Sequence, residues 1–242
     1  MNRIAKAFEN KKALIAFVVA GDPDIDTTER LIAALAEAGV DMVQIGVPFS
    51  DPVAGGAEVQ QADRRALAGG CTVDSIFDMV TRIREKVEIP LIIKSYMNPI
   101  FVYGKSRFIG KCSGCGIDGI MVSDLPFEER DEIEANCANF GVTRIPLVAP
   151  AAMDRIEMIL EGAEGFIMLP MLDTAMIKLV KAVSSLPCVV SVDVPTQQQV
   201  QEAGAIADGL VIESAIVRLV AQYGNNCVGH VKSYIEKLKA GD

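Results

Sequence analysis

Metal and redox chemistry have little to work with in this sequence. It holds one histidine, His230, and six cysteines, of which only Cys112 and Cys115 form a CxxC pair. A zinc or redox centre wants a second thiol or imidazole pair at close range, so no metal site is expected. A chain of 242 residues does not need disulfide staples, and Cys112 and Cys115 read as small, reduced, buried residues at i and i+3 of a helix. Basic residues are also in the minority. Lys and Arg number 23 against 32 Asp and Glu, and a formal charge of −9 repels phosphate backbones and anionic membrane surfaces alike. Nucleic acid and membrane are therefore not expected partners. Apolar runs such as residues 13–21 extend over nine residues, where a spanning helix needs about 20. The N-terminus is a charged helical pattern without a signal-like apolar region, which makes the cytoplasm the expected location. No GxGxxG follows the first apolar run and no GxxxxGK[ST] occurs anywhere, which argues against an open doubly wound sheet, and no cofactor is expected.

What the sequence does have is rhythm. Half of its residues are hydrophobic, and short β-branched runs alternate with helix-period segments from end to end, without a Pro/Gly/Ser-rich linker. Strands are expected over residues 13–20, 42–47, 91–96, 119–122, 143–148, 165–169, 188–192 and 209–213. Amphipathic helices are expected over 27–38, 73–86, 127–140 and 175–184, with Gly39 and Gly141 as stop signals. Strands apolar on both faces fit a parallel sheet covered by helices, and eight of them predict one (β/α)8 TIM barrel domain over residues 1–242. In such barrels the functional groups stand at the C-terminal strand ends and in the loops that follow. Those ends are residues 20–24, 44–52, 94–100, 123–126, 146–150, 192–195 and 213–216.

Six segments at these ends carry a resemblance: AGDPD at 20–24, GVPFSDP at 46–52, YMNPIF at 96–101, SDLP at 123–126, PLVAP at 146–150 and ADGLVIESAIV at 207–217. In this order and spacing they resemble the tryptophan synthase α subunit family. The resemblance implies a barrel that cleaves indole-3-glycerol phosphate to indole and glyceraldehyde 3-phosphate while bound to a pyridoxal-phosphate β subunit. It also implies which residues should do so, and several are replaced. The family glutamate ahead of PFSDP is Gln44 here, an amide that does not exchange a proton near neutral pH. The family aspartate in the loop after PFSDP is replaced by Gly55. Where family glycines let backbone N–H groups approach the phosphate, this chain has Asp193 and Glu213, and Ser214 alone of that set still matches. Two unit charges 4 Å apart at an effective dielectric near 20 interact by about 4 kcal/mol, so one carboxylate beside a phosphate outweighs several neutral N–H contacts. The long lid after strand six is replaced by Pro170-Met171-Leu172-Asp173, which runs straight into a helical pattern.

Lys94 stands at a position that is apolar and pocket-facing in the family. Buried alone it would be costly, and Asp193 and Glu213 arise at nearby strand ends where a charge partner would help. It reads either as part of a structural ion cluster or as a Schiff-base or acid/base lysine. Phe17, Gln44, Tyr96, Met168 and Ser214 are the candidate pocket residues. Asp51 and Asp124 read as turn anchors that accept backbone N–H bonds. Phe49, Asp51, Pro52, Asn98 and Pro99 belong to loops that face the β subunit in the family. The expected function is thus an α-subunit-like protein without normal lyase activity, acting as a partner or regulatory subunit of a β-like enzyme. The alternative is an enzyme of altered substrate, using Lys94 with Asp193 and Glu213 on a small-molecule ligand.

Overall fold

Eight apolar runs become eight parallel strands: β1 (Ala13–Val19), β2 (Met42–Gly46), β3 (Leu91–Ser95), β4 (Gly119–Val122), β5 (Thr143–Arg144), β6 (Ile167–Leu169), β7 (Cys188–Val192) and β8 (Gly209–Ile212). The computed structural model describes residues 2–9, 11–193 and 197–240; residues 194 and 195, at the expected strand-seven end, lie outside them. The strand order is β5-β4-β3-β2-β1-β8-β7-β6. The two outer strands meet through a parallel bridge between Leu147 and Met168. Val148 N–H donates to the Met168 carbonyl and Met168 N–H to the Pro146 carbonyl, both at 2.9 Å. The result is the expected (β/α)8 barrel.

Two strands are shorter than the apolar runs suggest, for local reasons. The fifth pairs as a ladder only over Thr143–Arg144, because Pro146 has no N–H to continue it. The sixth begins at Ile167, since Gly165 has φ of 75°, a left-handed conformation outside the β region. Helix starts follow capping chemistry. Asp24 accepts from Thr27 N–H at 2.6 Å and starts helix Ile25–Glu37, Thr72 and Ser75 form a capping box for helix Val73–Arg84, and Asp173 caps helix Thr174–Val183. Gly39 and Gly141 end their helices at φ of 82° and 66°, as expected. The segment 127–140 divides into a 3-10 turn, Phe127–Glu129, and a helix, Asp131–Phe140.

Strand alternation sorts the core into an inside and an outside. Ile15, Phe17, Met42, Ile92, Met121, Met168, Val189 and Val211 fill the barrel, and Ile4 and Ala7 of the short helix Arg3–Ala7 join the same interior cluster. Val18, Ile45 and Ile93 face the helices through Leu35, Met79 and Ile109. Ile167, Val190 and Leu210 do the same through Ile177 and Val180. The N-terminal ends of β3 and β4 are tied by one buried cation. Arg84 donates to the carbonyls of Gly116 (2.7 Å), Val87 (3.1 Å) and Ile89 (2.6 Å) and to Asp118 at 2.5 Å, while Asp118 also accepts from Leu91 N–H at 2.9 Å. Arg84→Met strands three carbonyls and leaves Asp118 only the half-exposed Arg3 at 3.1 Å and the Leu91 N–H, and should lower stability by about 2 kcal/mol in urea unfolding, whereas Arg82→Met on the exposed face should cost well under about 1 kcal/mol.

Candidate functional site

The mouth of the barrel carries a charge pair over an aromatic floor. Pairing registers place Phe17 beside Gln44, Gln44 beside Ile92, and Gly46 beside Lys94. A Cβ at Gly46 would lie 2.8 Å from Phe17 Cζ, so only glycine lets the ring settle there. Lys94 Nζ stands 4.6 Å from the Phe17 ring centroid and is ion-paired with Glu213 Oε1. Both side chains are largely buried, at 22% and 17% exposure, so the attraction is screened far less than on the surface, and the ring face adds a cation–π term.

Gln44 is fully buried, and neither its Oε1 nor its Nε2 has a hydrogen-bond partner in the described structure. An amide left unpaired in the interior costs about 1–3 kcal/mol. Gly55 lies in a turn closed by its own N–H to the Pro52 carbonyl at 3.2 Å. A Cβ there would meet no atom closer than 3.5 Å, an ordinary van der Waals contact.

Asp193 is brought to the mouth but not into the ion pair. Its carboxylate accepts from Ser214 Oγ at 3.0 Å and its carbonyl from Ala215 N–H at 3.0 Å, which fastens the start of helix Ser214–Tyr223. Of the two expected partners of Lys94, Glu213 alone lies within ion-pairing distance. Ser214 and Met168 are buried at the same end, and Met168 belongs to the interior cluster.

Tyr96 ties together the loops after β2 and β3. Its hydroxyl accepts from Ala54 N–H at 3.1 Å and its ring sits 5.4 Å from that of Phe49. Asp124 accepts from Met97 N–H at 2.7 Å and so holds the start of helix Met97–Tyr103, which contains Asn98 and Pro99. Asp51 differs from expectation, since its carboxylate takes the adjacent Ser50 hydroxyl at 2.6 Å rather than a backbone N–H. Beside Asp51 and Pro52, Val53 is 82% exposed, and Phe101 and Val102 are 66% and 78% exposed. After β6, residues 170–173 lead directly to the Asp173 cap, with no long loop between. Cys112 and Cys115 are buried on helix Lys105–Cys115, where burial pushes the Cys115 thiol up to about 11. His230 stacks on Tyr223 at 3.6 Å. Among the described residues no three His, Cys, Asp or Glu side chains are grouped to hold a metal ion.

One charged residue escaped the reading of the sequence. Asp63 lies on helix Ala57–Ala68 beside Val59, Ala62 and Ala66, and only 4% of it is exposed. The signal was a carboxylate on the apolar stripe of that helix, at i+4 from Val59 and i−3 from Ala66. Burial, reinforced by the neighbouring Asp22 charge and opposed by Lys94, pushes its carboxyl up to about 7. Asp22 itself is clamped by Arg65 through two bonds of 2.8 Å. Between the ordinary value of 3.8 and about 7, the folded chain holds a proton on Asp63 that the unfolded chain has released. Stability therefore falls as pH rises through that window and stays lowered above it. Asp63→Asn should be more stable than the parent by about 1–3 kcal/mol at pH 8 and nearly equal to it at pH 4. Guanidinium unfolding at the two pH values checks this; an equal difference at both would contradict it.

Comparison with known proteins gives this constellation a family. Residues 4–241 match the tryptophan synthase alpha chain family. The tryptophan synthase alpha chain of Caldanaerobacter subterraneus is 37% identical over 259 aligned positions, covering 99% of each chain. That of Lacticaseibacillus casei is 35% identical, covering 99% of this chain and 95% of its own. The crystal structure of tryptophan synthase subunit alpha from Legionella pneumophila superposes with a TM-score of 0.93 at 30% identity, covering 100% of this chain and 98% of its own. A chain of the tryptophan synthase complex from Pyrococcus furiosus does so with a TM-score of 0.90 at 28% identity, covering 95% and 99%. With the strand-end segments, the fold and near-complete matches in agreement, the chain belongs to the tryptophan synthase α chain family.

Proposed function

We propose that this family member has lost ordinary indole-3-glycerol phosphate lyase activity and serves as the α-like partner of a tryptophan synthase β-like chain. The observation that carries the reading is Gln44. At the position where the family resemblance calls for an acid/base glutamate, the barrel holds a sealed carboxamide with no partner. General acid/base groups contribute about 10²–10⁴-fold each, and Gly55 supplies no second one.

The phosphate end supports the same reading. The Ser214 hydroxyl is already bonded to Asp193, and Glu213 adds a second carboxylate where an anion would have to enter. The short connection at 170–173 provides no lid to exclude water. Alignment with the Caldanaerobacter chain runs over 259 positions against 242 residues here, so that relative carries segments this chain lacks.

Docking is favoured by the apolar side chains that the loops after β2 and β3 expose. Val53, Phe101 and Val102 stand out from a framework that Tyr96, Phe49 and Asp124 hold rigid. Apolar side chains presented together on ordered loops fit a protein partner. The matched P. furiosus chain comes from a tryptophan synthase complex, described as an α2β2 assembly. Asp63 favours a second reading, an enzyme of altered substrate, because a carboxyl that titrates near neutrality feels the charge of Lys94. Lys94 would then act on a carbonyl or amine-bearing ligand; absence of any Lys94 adduct after borohydride treatment with a panel of aldehydes and ketones would remove its Schiff-base form.

Calorimetric titration against the β-like chain from the same source should give one-to-one binding that Phe101→Glu weakens at least about tenfold. No association at high micromolar concentration would overturn the partner role. Restoring Gln44→Glu and Gly55→Asp should leave lyase activity absent, although a Cβ at position 55 makes no close contact. Adding Asp193→Gly and Glu213→Gly should raise affinity for glycerol 3-phosphate. Glu213→Gly alone should cost about 1–3 kcal/mol of stability by stranding Lys94, and Lys94→Leu with Glu213→Gly should cost less than that single change.

A further inference from the structure

We propose that the cleft at the foot of the barrel, where helices Gln197–Ile206 and Cys227–Ala240 flank the starts of β1 and β8, is a second ligand site, which takes a phosphate monoester on a small apolar body. The cleft has a volume of about 380 Å³, inside the range of small-molecule sites. Its floor is aliphatic. Leu14 and Leu210 alternate with the inward-facing Ile15 and Val211 and so point out of the barrel, and Val200 and Leu238 join them from the two helices. Leu14 packs against both outer clusters, the one around Leu35 and the one around Ile177, so the floor is the seam where those clusters meet. Leu14, Val200 and Leu238 are only half-buried, and a Cβ at Gly204 would meet no atom within 4 Å, so the helices leave the seam open. Of the lining, Ala13 alone belongs to the barrel-interior cluster.

The rim of the cleft is basic. Lys11, Lys12 and Lys239 line it, all three exposed, against one acidic group, Asp41. Both Asp41 oxygens are taken, Oδ1 by Lys11 and Oδ2 by Leu14 N–H at 2.8 Å. Lys12 has Asp208 Oδ1 at 3.5 Å, but Lys181 bonds the same oxygen at 2.8 Å, and Asp208 Oδ2 accepts from Cys188 N–H at 2.9 Å. Lys239 rests on the Gly39 carbonyl at 2.6 Å and pairs with no carboxylate among the described residues. Four lysines at this rim thus face two carboxylates, which leaves two positive charges over at one place on a chain whose formal charge is −9. A dianion matches that surplus. No arginine lines the cleft, so no planar fork selects a carboxylate; separate ammonium groups act as point charges and suit a tetrahedral phosphate. These ammonium groups are open to solvent, so an anion reaches them directly, but ion pairs so exposed are individually weak. The aliphatic floor must supply the rest of the binding, and this is why the phosphate is assigned an apolar body.

This site does not depend on the reading of the barrel mouth. The starts of β1 and β8 lie at the end of the barrel opposite the Lys94–Glu213 pair. Helix Gln197–Ile206 follows β7 and leads back to the foot, so a ligand held against Val200 and Gly204 grips the helix that comes after Asp193.

Titration of the full chain with phenyl phosphate, phenol and inorganic phosphate at about pH 8, where the phosphate is a dianion, followed by calorimetry and by amide chemical shifts, tests the assignment. Phenyl phosphate should bind at least about tenfold more tightly than either phenol or inorganic phosphate, with shifts centred on residues 11–14, 200–210 and 238–239. Lys12→Gln with Lys239→Gln should lower the affinity for phenyl phosphate at least about tenfold and leave the shifts caused by phenol unchanged. Gly204→Leu, which fills the seam and leaves the lysines in place, should abolish binding of both aromatic ligands while the circular dichroism spectrum stays unchanged. Vesicles of phosphatidylcholine and phosphatidic acid present the same headgroup chemistry on a membrane and should not sediment the chain, because its net charge opposes that surface. Inorganic phosphate binding as tight as phenyl phosphate, shifts confined to Asp193, Glu213 and Ser214 at the barrel mouth, sedimentation with the vesicles, or no binding at about 10 mM would each overturn it.

Discussion

A lysine ammonium inside a parallel barrel must be compensated, and the Lys94–Glu213 pair meets that constraint at the barrel mouth. The pair sits over Phe17, the ring needs Gly46, and the same mouth holds Gln44 as a neutral, sealed amide. Each feature restricts the next. A glutamate at position 44 would add an ionised group to an apolar layer, and removing Glu213 would leave Lys94 without its counter-charge. Substitution at one of these positions is expected to propagate to the others.

The same constraint links the mouth to the proposed partner face. Tyr96 follows Lys94 by two residues, and its hydroxyl holds Ala54 while its ring holds Phe49. Asp124 fixes the start of helix Met97–Tyr103. The exposed Val53 is thus carried on the loop after β2, and Phe101 and Val102 on the helix after β3, both anchored to the strand ends. A partner that pressed on these side chains would be coupled to the charge pair through two or three rigid contacts. This is the physical basis on which an α-like chain can act on another enzyme without performing its own reaction.

Much of this was legible in the sequence because it is local. Apolar runs alternating with helix-period segments marked the strands and helices, and Gly39 and Gly141 marked helix ends, whereas the starts at Asp24, Thr72 and Asp173 emerged only in the structure. The shortened fifth and sixth strands were harder to read, since Pro146 and Gly165 interrupt ladders whose side chains still look like strand. At the site, the Lys94–Glu213 contact could be anticipated from strand-end positions alone. That Asp193 would turn to Ser214 could not, because it depends on which way a loop carboxylate faces. Asp63 escaped for a different reason. It sits in a helix whose other buried residues are small, and its neighbours Asp22 and Lys94 come from distant parts of the chain.

The most direct measurement is turnover of indole-3-glycerol phosphate by the unmodified chain, alone and saturated with the β-like chain from the same source, with indole followed chromatographically over hours. A sealed amide in place of the acid/base group should leave indole release at the level of the protein-free control in both cases. Release at an ordinary enzyme rate, of order 1 s⁻¹, would contradict the reading of Gln44, Gly55, Asp193 and Glu213 on which the proposed role rests.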